Sequence, residues 1–275
     1  MIENVCGCKK VTANNGLNKS ASTIHMYLIQ ANSHDSVDPL YMKVRSGPNT
    51  LFMPDARVAK DYYRTGFYER GYIDWAFENY AKEGTGMIDI GAHIGMYTTK
   101  FASKVQCVHS FECSPKSFNY LCANIALHDQ HYVVKPYNVA LSDKEGMVKY
   151  YIRDPLDGGG NGISGFEKDI QNKVPTIDVP TKMLDSYNLT NIHFIKMDVE
   201  GHEEYVLRGG VKTLEENNYP CILFESWPER YENQMGLPAK QIRKSLFDML
   251  QSLEYKIIQI HGGTDDMFLA ERNRN

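Results

Sequence analysis

The chain has 275 residues, of which 42% are hydrophobic, so it is long and apolar enough for one large α/β domain with its own core. Its 30 basic and 34 acidic side chains leave no net positive field for nucleic acid, and no apolar run approaches the roughly 18 residues of a membrane span. The N-terminus shows no basic segment followed by an apolar one, which predicts a cytoplasmic protein with its six cysteines reduced.

The first part of the chain is predicted to be separate from the main domain. Residues 1–22 are polar and rich in Asn, Ser and Lys, which predicts a mobile arm. Three short strands are expected after it, at 24–28, 40–44 and 51–53. We therefore divide the chain into an N-terminal arm with a small β-rich extension, 1–55, and a main domain, 56–275.

Aromatic residues dominate the start of the main domain, between residues 56 and 82. The apolar positions from residue 73 to residue 80 have helical spacing, which predicts a helix over 74–82 that covers a sheet. Glu69 precedes this helix and is a candidate for contacting a cofactor.

A strand, a glycine turn and a helix are predicted between residues 87 and 101. Asp89 lies near the end of the apolar run, Gly91 allows the tight turn, and Gly95 allows the next helix to pack closely. His93 takes the place of the middle glycine of a dinucleotide-binding turn, so a close approach of pyrophosphate is disfavoured. An ordinary turn that binds nothing is the alternative.

The next predicted strand, 107–111, ends at Glu112, which lies about twenty residues after the glycine turn. An acidic residue at this position can accept hydrogen bonds from both hydroxyls of a ribose. Together with the missing glycine, this favours a nucleoside without phosphates, such as S-adenosylmethionine.

The remaining pattern alternates between helix and strand. Helices are expected at 116–128, 181–187, after 203, and at 238–253. Strands are expected at 132–137, 138–143, 146–152, 174–179, 193–198, 221–225, 255–260 and 267–270. The glycine-rich loop 153–170 is interpreted as a substrate lid, with simple disorder as the alternative. Alternation predicts a mostly parallel sheet, and the last two strands predict an antiparallel hairpin at its edge.

Several blocks in this order resemble the FkbM family of S-adenosylmethionine-dependent methyltransferases. They are DIGAHIG at 89–95, FECSP at 111–115, NVALSD at 138–143, GNGIS at 160–164, IKMDVEGHE at 195–203 and ILFE at 222–225. The resemblance extends from about residue 66 to residue 270 and implies a Rossmann-like class I methyltransferase fold with seven strands. His93 departs from it, since the family more often has asparagine there.

The resemblance implies transfer of a methyl group to a hydroxyl, most often of a sugar or glycan. It implies that Ser142 and Asp143 lie near the adenine, that Asp89 and Gly91 flank the methionine portion, and that Glu112 holds the ribose. The lid block suggests Asn161 and Ser164 as acceptor-binding residues.

Proton removal from the acceptor requires a base or a metal ion, because a sugar hydroxyl is a weak acid. The acid–base candidates are Asp198, Glu200, His202 and Glu225. The unperturbed pKa of histidine, about 6.5, suits a base at neutral pH, although His202 is equally placed to cap the next helix. Asp198 is also expected to contact the cofactor, and Asp198, Glu200 and His202 are a possible ligand set for a divalent cation.

Two other functions stay open. Lys60, Asp198 and Glu225 fit part of the Lys-Asp-Lys-Glu set of an RNA ribose 2′-O-methyltransferase, against which the missing basic stripe counts. A non-catalytic cofactor-binding module is the second alternative. The sequence does not decide the oligomeric state or the identity of the acceptor.

Overall fold

The computed structural model describes residues 2–5, 8–12, 24–29, 40–45, 51–52, 70–155, 159–228, 238–260 and 266–272. The first five strands form an antiparallel sheet in chain order. They are β1 (Ile2–Val5), β2 (Cys8–Thr12), β3 (Ile24–Ile29), β4 (Leu40–Arg45) and β5 (Leu51–Phe52). Strands β1 and β2 lie inside the segment predicted as an arm without regular structure, so that prediction is wrong for these residues.

Strands and helices alternate through the rest of the described chain. The strands are β6 (Gly86–Ile90), β7 (Cys107–Phe111), β8 (Val134–Tyr137), β9 (Ala140–Leu141), β10 (Gly146–Tyr151), β11 (Thr176–Lys182), β12 (Ile192–Met197), β13 (Cys221–Glu225), β14 (Lys256–Gln259) and β15 (Met267–Glu271). The helices are α1 (Arg70–Tyr80), α2 (Met96–Phe101), α3 (Pro115–Leu127), α4 (Glu167–Gln171), α5 (Glu203–Arg208), α6 (Val211–Glu216) and α7 (Ala239–Ser252). None of these described helices is long and apolar enough to cross a membrane.

The main sheet has seven strands in the order β8-β7-β6-β12-β13-β15-β14. All neighbours are parallel except those of β15, which runs antiparallel to both β13 and β14. The strand order reverses between β6 and β12, and open α/β sheets bind ligands at the carboxyl ends of the strands at such a point. The predicted mostly parallel sheet with an antiparallel C-terminal edge is therefore confirmed.

Helices cover both faces of this sheet because its buried strands present apolar side chains on alternate sides. Ile88 and Ile90 face a core shared with α5, α6 and α7, whereas Met87 faces a core shared with α1, α2 and α3. Tyr80 of α1 stacks on Phe194 of β12 with ring centroids 4.9 Å apart. The helix predicted from the aromatic stretch thus covers the sheet as expected.

Two local predictions are corrected by the structure. The helix expected at 181–187 begins later, because β11 continues through Lys182 to pair with β9, and only a short 3-10 helix follows at Leu184–Tyr187. The single helix expected after β12 is divided into α5 and α6. The backbone of Gly209 lies against residue 142 there: a Cβ on Gly209 would sit 2.0 Å from the carbonyl oxygen of Ser142.

Candidate active site

The carboxyl edge of the sheet collects the strand-end acids into one row. Four adjacent parallel strands end in register, since the last residues that they pair with one another are Phe111 with Ile90, Ile90 with Met197, and Met197 with Phe224. The positions that follow them, in sheet order, are Glu112, Gly91, Asp198 and Glu225. Three acidic residues from distant parts of the sequence therefore lie along one edge, where the sheet order reverses.

Gly91 brings two of these strand ends into direct contact. Its φ of 77° is in the left-handed region, and a Cβ there would lie 1.8 Å from the carbonyl oxygen of Asp198. Its N–H donates to Phe111 O at 2.9 Å.

Gly95, with φ of 90°, leaves space that Leu121 of α3 fills, since a Cβ would lie 2.7 Å from Leu121 Cδ1. The role visible for Gly95 is therefore helix packing.

Glu112 is held in a fixed orientation by the backbone. Its Oε2 accepts the N–H of His93 at 2.8 Å, and its Oε1 accepts the N–H of Ser114 at 2.7 Å. Burial raises the pKa of Glu112 to about 7, against the lowering effect of these two hydrogen bonds. A carboxylate has about four acceptor positions, so both oxygens keep capacity for further donors such as ribose hydroxyls.

His93 contributes to this arrangement through its backbone, which adopts φ of 52°. Asp89 is buried on the neighbouring strand, with 1% exposure, and accepts the hydroxyl of Thr98 at 2.6 Å. Burial raises the pKa of Asp89 to about 6, while Thr98 and Lys196 act in the opposite direction. The first turn of α2 is thereby tied to the end of β6.

Lys196 is a buried cation at the centre of these acids, and sequence reasoning assigned it no role. Its side chain is 3% exposed, its Nζ lies 3.4 Å from Asp198 Oδ2, and its charge lowers the pKa of Asp89. Its Nζ also lies 5.2 Å from the centroid of the Tyr97 ring. A lysine in a mostly apolar strand, two residues before the strand-end acid, is the signal that could have indicated it.

Asp198 is the accessible acid of the group, with its side chain 26% exposed, while Asp89, Glu112 and Glu203 are buried. Glu225 ends β13 and is half-buried. Because Asp198 and Glu225 follow the paired residues Met197 and Phe224, they occupy adjacent positions at the edge.

Glu200 and Glu203 serve the loop after β12. Glu203 Oε1 accepts the N–H of Val199 at 3.1 Å and that of Gly201 at 3.3 Å, which closes this loop against α5. Glu200 has φ of 55° and accepts Gly160 N at 2.9 Å and Trp227 Nε1 at 3.1 Å. Burial, with a further contribution from the charge of Asp198, raises the pKa of Glu200 above its ordinary value.

His202 turns towards the residues expected near the adenine. Its Nε2 lies 3.0 Å from Ser142 Oγ, which also donates to Asp143 Oδ1 at 3.2 Å, and its ring stacks on Tyr205 at 4.6 Å. Burial lowers the pKa of His202 to about 4, against the raising effect of Asp143. A group with so low a pKa is a weak base for an alcohol proton.

The loop predicted as a lid contains ordered contacts and helix α4. The Asn161 side chain accepts the N–H of Asp154 and donates to its carbonyl oxygen, both at 2.8 Å. Ser164 Oγ donates to Gly201 O at 3.3 Å. Asn161 is thus occupied within the loop, whereas the Ser164 hydroxyl lies against the loop that follows β12.

The structure does not support the proposed cation site. Across the described ranges, no group of three or more His, Cys, Asp or Glu side chains is arranged to hold a metal ion. Glu200 points to Gly160 and Trp227 while His202 points to Ser142, so these two do not converge with Asp198 on one point. Lys60 and Glu69 lie outside the described residues.

With this geometry in place, comparison with known proteins identifies the fold's family. Residues 89–257 match the methyltransferase FkbM domain, which is more than half of the chain. The chain belongs to the FkbM methyltransferase family. It is accordingly an S-adenosylmethionine-dependent methyltransferase, and the sheet order described above is that of a class I methyltransferase.

Two characterised relatives resemble this FkbM methyltransferase over most of their length. The hexuronic acid methyltransferase AglP of Haloferax volcanii is 25% identical over 195 residues, which cover 71% of this chain and 73% of AglP. The 2-O-methyltransferase NoeI of Sinorhizobium fredii is 27% identical over 188 residues, covering 61% of this chain and 72% of NoeI.

Solved structures of similar fold include a methyltransferase FkbM from Methylobacillus flagellatus. It is 17% identical with a TM-score of 0.48, and the match covers 68% of this chain and 43% of that one. An O-methyltransferase from Bacillus cereus matches at 12% identity with a TM-score of 0.46, over 78% of this chain and 87% of its own.

The residues of the edge fit the cofactor that the FkbM family uses. Glu112 offers oriented acceptor oxygens for a diol, and the turn at Gly91 and His93 leaves backbone at the surface of the site. In the described part of the chain, the acids Asp89, Glu112 and Asp198 outnumber the cation placed among them, Lys196. An excess of carboxylates suits a ligand that carries a sulfonium charge.

Proposed function

We propose that this enzyme transfers a methyl group from S-adenosylmethionine to a hydroxyl group of a sugar or glycan. The observation that carries the proposal is the accessible Asp198 carboxylate, held by Lys196 beside the buried Glu112 at the edge where the sheet order reverses. The names of the relatives AglP and NoeI support a sugar acceptor, since they describe a hexuronic acid methyltransferase and a 2-O-methyltransferase.

On the cofactor side, Glu112 would accept the two ribose hydroxyls, Ser142 and Asp143 would lie at the adenine, and Gly91 with Asp89 would flank the methionine portion. When bound, S-adenosylmethionine supplies a methyl group on a sulfonium, whose sulfur leaves as a neutral thioether. Glu112 orients the ligand without adjusting its own position, because two backbone N–H groups already hold its carboxylate.

On the acceptor side, the oxygen of the acceptor hydroxyl would bond to the methyl carbon. Asp198 would take the proton of this hydroxyl. Lys196 Nζ contacts Oδ2 of the Asp198 carboxylate. The other oxygen of Asp198 lies outside this salt bridge. Asp198 is favoured over His202 as the base, because the Asp198 carboxylate is accessible at the edge whereas His202 Nε2 lies against Ser142. Glu225, adjacent at the edge, would bind another acceptor hydroxyl.

Acceptor selection is assigned to two further parts of the chain. The N-terminal extension, 1–55, and the loop that contains Ser164 would contact the acceptor, while 56–275 would form the methyltransferase domain. This division explains how one cofactor edge can serve different glycans.

The test compares wild type with Asp198→Asn. Calorimetry measures S-adenosylhomocysteine binding, and mass spectrometry measures methylation of a panel of hexuronic acid and other glycosides, with and without EDTA. We expect the variant to bind the product and to lose turnover at least about hundredfold, the range of a general base. Failure of the wild-type protein to bind S-adenosylhomocysteine would refute the proposal, and unchanged turnover in Asp198→Asn would remove Asp198 as the base.

Product binding without methylation of any glycan would favour the two alternatives. Methylation of an RNA oligomer with binding that weakens steeply with salt would indicate an RNA 2′-O-methyltransferase. Binding with no turnover on either class would indicate a cofactor-binding module.

A further inference from the structure

Three separate segments meet at the side chain of Glu200. The first is its own loop between β12 and α5, the second is residues 159–166, called here the 159–166 segment, and the third follows β13 and contains Trp227. Glu200 Oε1 accepts the N–H of Gly160 at 2.9 Å, and Oε2 accepts the indole N–H of Trp227 at 3.1 Å. Each oxygen of one carboxylate therefore fastens a different segment.

The backbone around Glu200 is shaped for this contact. Glu200 adopts φ of 55°, a conformation that non-glycine residues rarely take, and Gly201 follows with φ of 89°. A Cβ on Gly201 would lie 2.9 Å from Trp227 Cζ3, so the indole ring packs directly on this backbone. These two residues with positive φ bend the backbone between Asp198 and α5.

The 159–166 segment lies flat on the same loop. A Cβ on Gly162 would lie 3.1 Å from Glu200 Cβ, and Ser164 Oγ donates to the carbonyl oxygen of Gly201. The ring of Phe166 packs 5.3 Å from that of Trp227. Since Glu200 is two residues from Asp198, the segment is held beside the accessible carboxylate.

Arg153 holds the segment through a second set of contacts. Its guanidinium forms a salt bridge with Asp169 at 2.7 Å and donates to the carbonyl oxygens of Gly160, at 2.8 Å, and Ser164. The segment is thus a preformed unit, and the Glu200 carboxylate joins it to the strand-end loop.

We propose that Glu200 is a positioning residue that fastens the 159–166 segment beside Asp198 and thereby builds the acceptor side of the site. The inference rests on the proposed methyltransferase function and assigns Glu200 to acceptor positioning in place of proton transfer. Both partners of Glu200 are N–H donors, so a side chain must offer two acceptor oxygens to bind both of them.

The test uses Glu200→Gln in the full chain. A glutamine side chain has one acceptor oxygen and one donor NH₂, so it satisfies Gly160 or Trp227 but not both. Hydrogen–deuterium exchange is measured on the peptide that covers the 159–166 segment. We expect exchange about tenfold faster than in wild type, as for loss of one hydrogen bond.

Two further variants make the result specific. Trp227→Phe keeps the ring near Gly201 and Phe166 but removes one donor, so exchange should rise by a smaller factor. Glu215→Gln neutralises an exposed carboxylate on α6 and should leave exchange unchanged. Wild-type exchange in Glu200→Gln would overturn the proposal.

Kinetics with the glycoside accepted by wild type provide the second readout. We expect Glu200→Gln to raise the acceptor KM at least about fivefold, with kcat and S-adenosylhomocysteine affinity changed less than about threefold. A collapse of kcat with unchanged acceptor KM would show that Glu200 acts on the reacting atoms and would overturn the assignment. If wild type does not bind S-adenosylhomocysteine, the proposed function fails, whereas the exchange measurement still decides whether Glu200 fastens the segment.

Discussion

Replacement of Glu112 by glutamine tests the cofactor side of the site most directly. Glutamine keeps the shape of the side chain, removes its charge and places an NH₂ group where one oxygen accepts a backbone N–H from His93 or Ser114. One of these donors then loses its acceptor, at a cost of about 1–3 kcal/mol of folding free energy. Removal of a buried charge, whose burial raises the pKa to about 7, offsets part of this cost.

The effect on the ligand is expected to be larger than the effect on folding. Hydrogen bonds to a charged acceptor contribute about 1.5–3 kcal/mol each, and a ribose diol makes two of them with a carboxylate. Since glutamine keeps one acceptor position, we expect a loss of about 3 kcal/mol, which is about a hundredfold weaker binding of S-adenosylhomocysteine.

Calorimetric titration at pH 8, where Glu112 is ionised, measures this loss, and thermal unfolding confirms that the variant is folded. In wild type the dissociation constant should rise about tenfold between pH 8 and pH 6, because binding requires the ionised carboxylate. The variant should lack this dependence. Binding within threefold of wild type in Glu112→Gln would refute the reasoning and leave Glu112 with a purely structural role at the turn.

Three further predictions follow from buried groups of the site. Lys196→Met keeps the side-chain volume but removes the cation beside Asp198, so we expect kcat to fall at least about tenfold with smaller loss of product affinity; equal kcat would contradict the role of Lys196. His202→Asn removes the ring that contacts Ser142, so the S-adenosylmethionine KM should rise about fivefold while the pH profile of kcat stays the same; a lost acidic limb would instead identify His202 as the base. Folding raises the pKa of Glu112 from 4.5 to about 7, so the folded protein holds more protons than the unfolded chain between these values. The contribution of Glu112 to the unfolding free energy should therefore be largest below pH 4.5. It should fall by about 3 kcal/mol as the pH rises from 4.5 through 7. Calorimetry of the ligand-free protein measures this change.

The edge of acids could be predicted because it depends on topology more than on side-chain packing. Glu112, Asp198 and Glu225 each follow an apolar strand, and parallel strands end at the same edge. Alternating patterns of this kind are local, so they can be recognised in the sequence without the tertiary structure. The antiparallel hairpin at the C-terminal edge was predicted from the same alternation, whereas the number of seven strands was implied by the family resemblance.

Directions of side chains could not be predicted, because they depend on backbone conformations that no pattern encodes. Glu200 lies two residues after Asp198, yet its positive φ sends it to Gly160 and Trp227. His202 is close in sequence to both and contacts Ser142. Spacing alone suggested one shared cluster for acid–base or metal chemistry.

Long-range backbone contacts were the second limit. The division between α5 and α6 depends on the approach of Gly209 to Ser142, more than sixty residues away in sequence. A helical pattern is unaffected by such a contact, so it predicted one continuous helix.

The contact between Gly91 and the carbonyl of Asp198 separates what can be redesigned in this enzyme from what cannot. Two backbones touch there without any side chain between them, so a shift of the turn at Gly91 moves the backbone of Asp198 directly. The 159–166 segment, which we propose for the acceptor side of the site, is joined to the loop after β12 by side chains, those of Glu200, Ser164 and Trp227. Directed evolution towards new acceptors should therefore accumulate substitutions in the 159–166 segment and around Trp227, and should leave position 91 untouched.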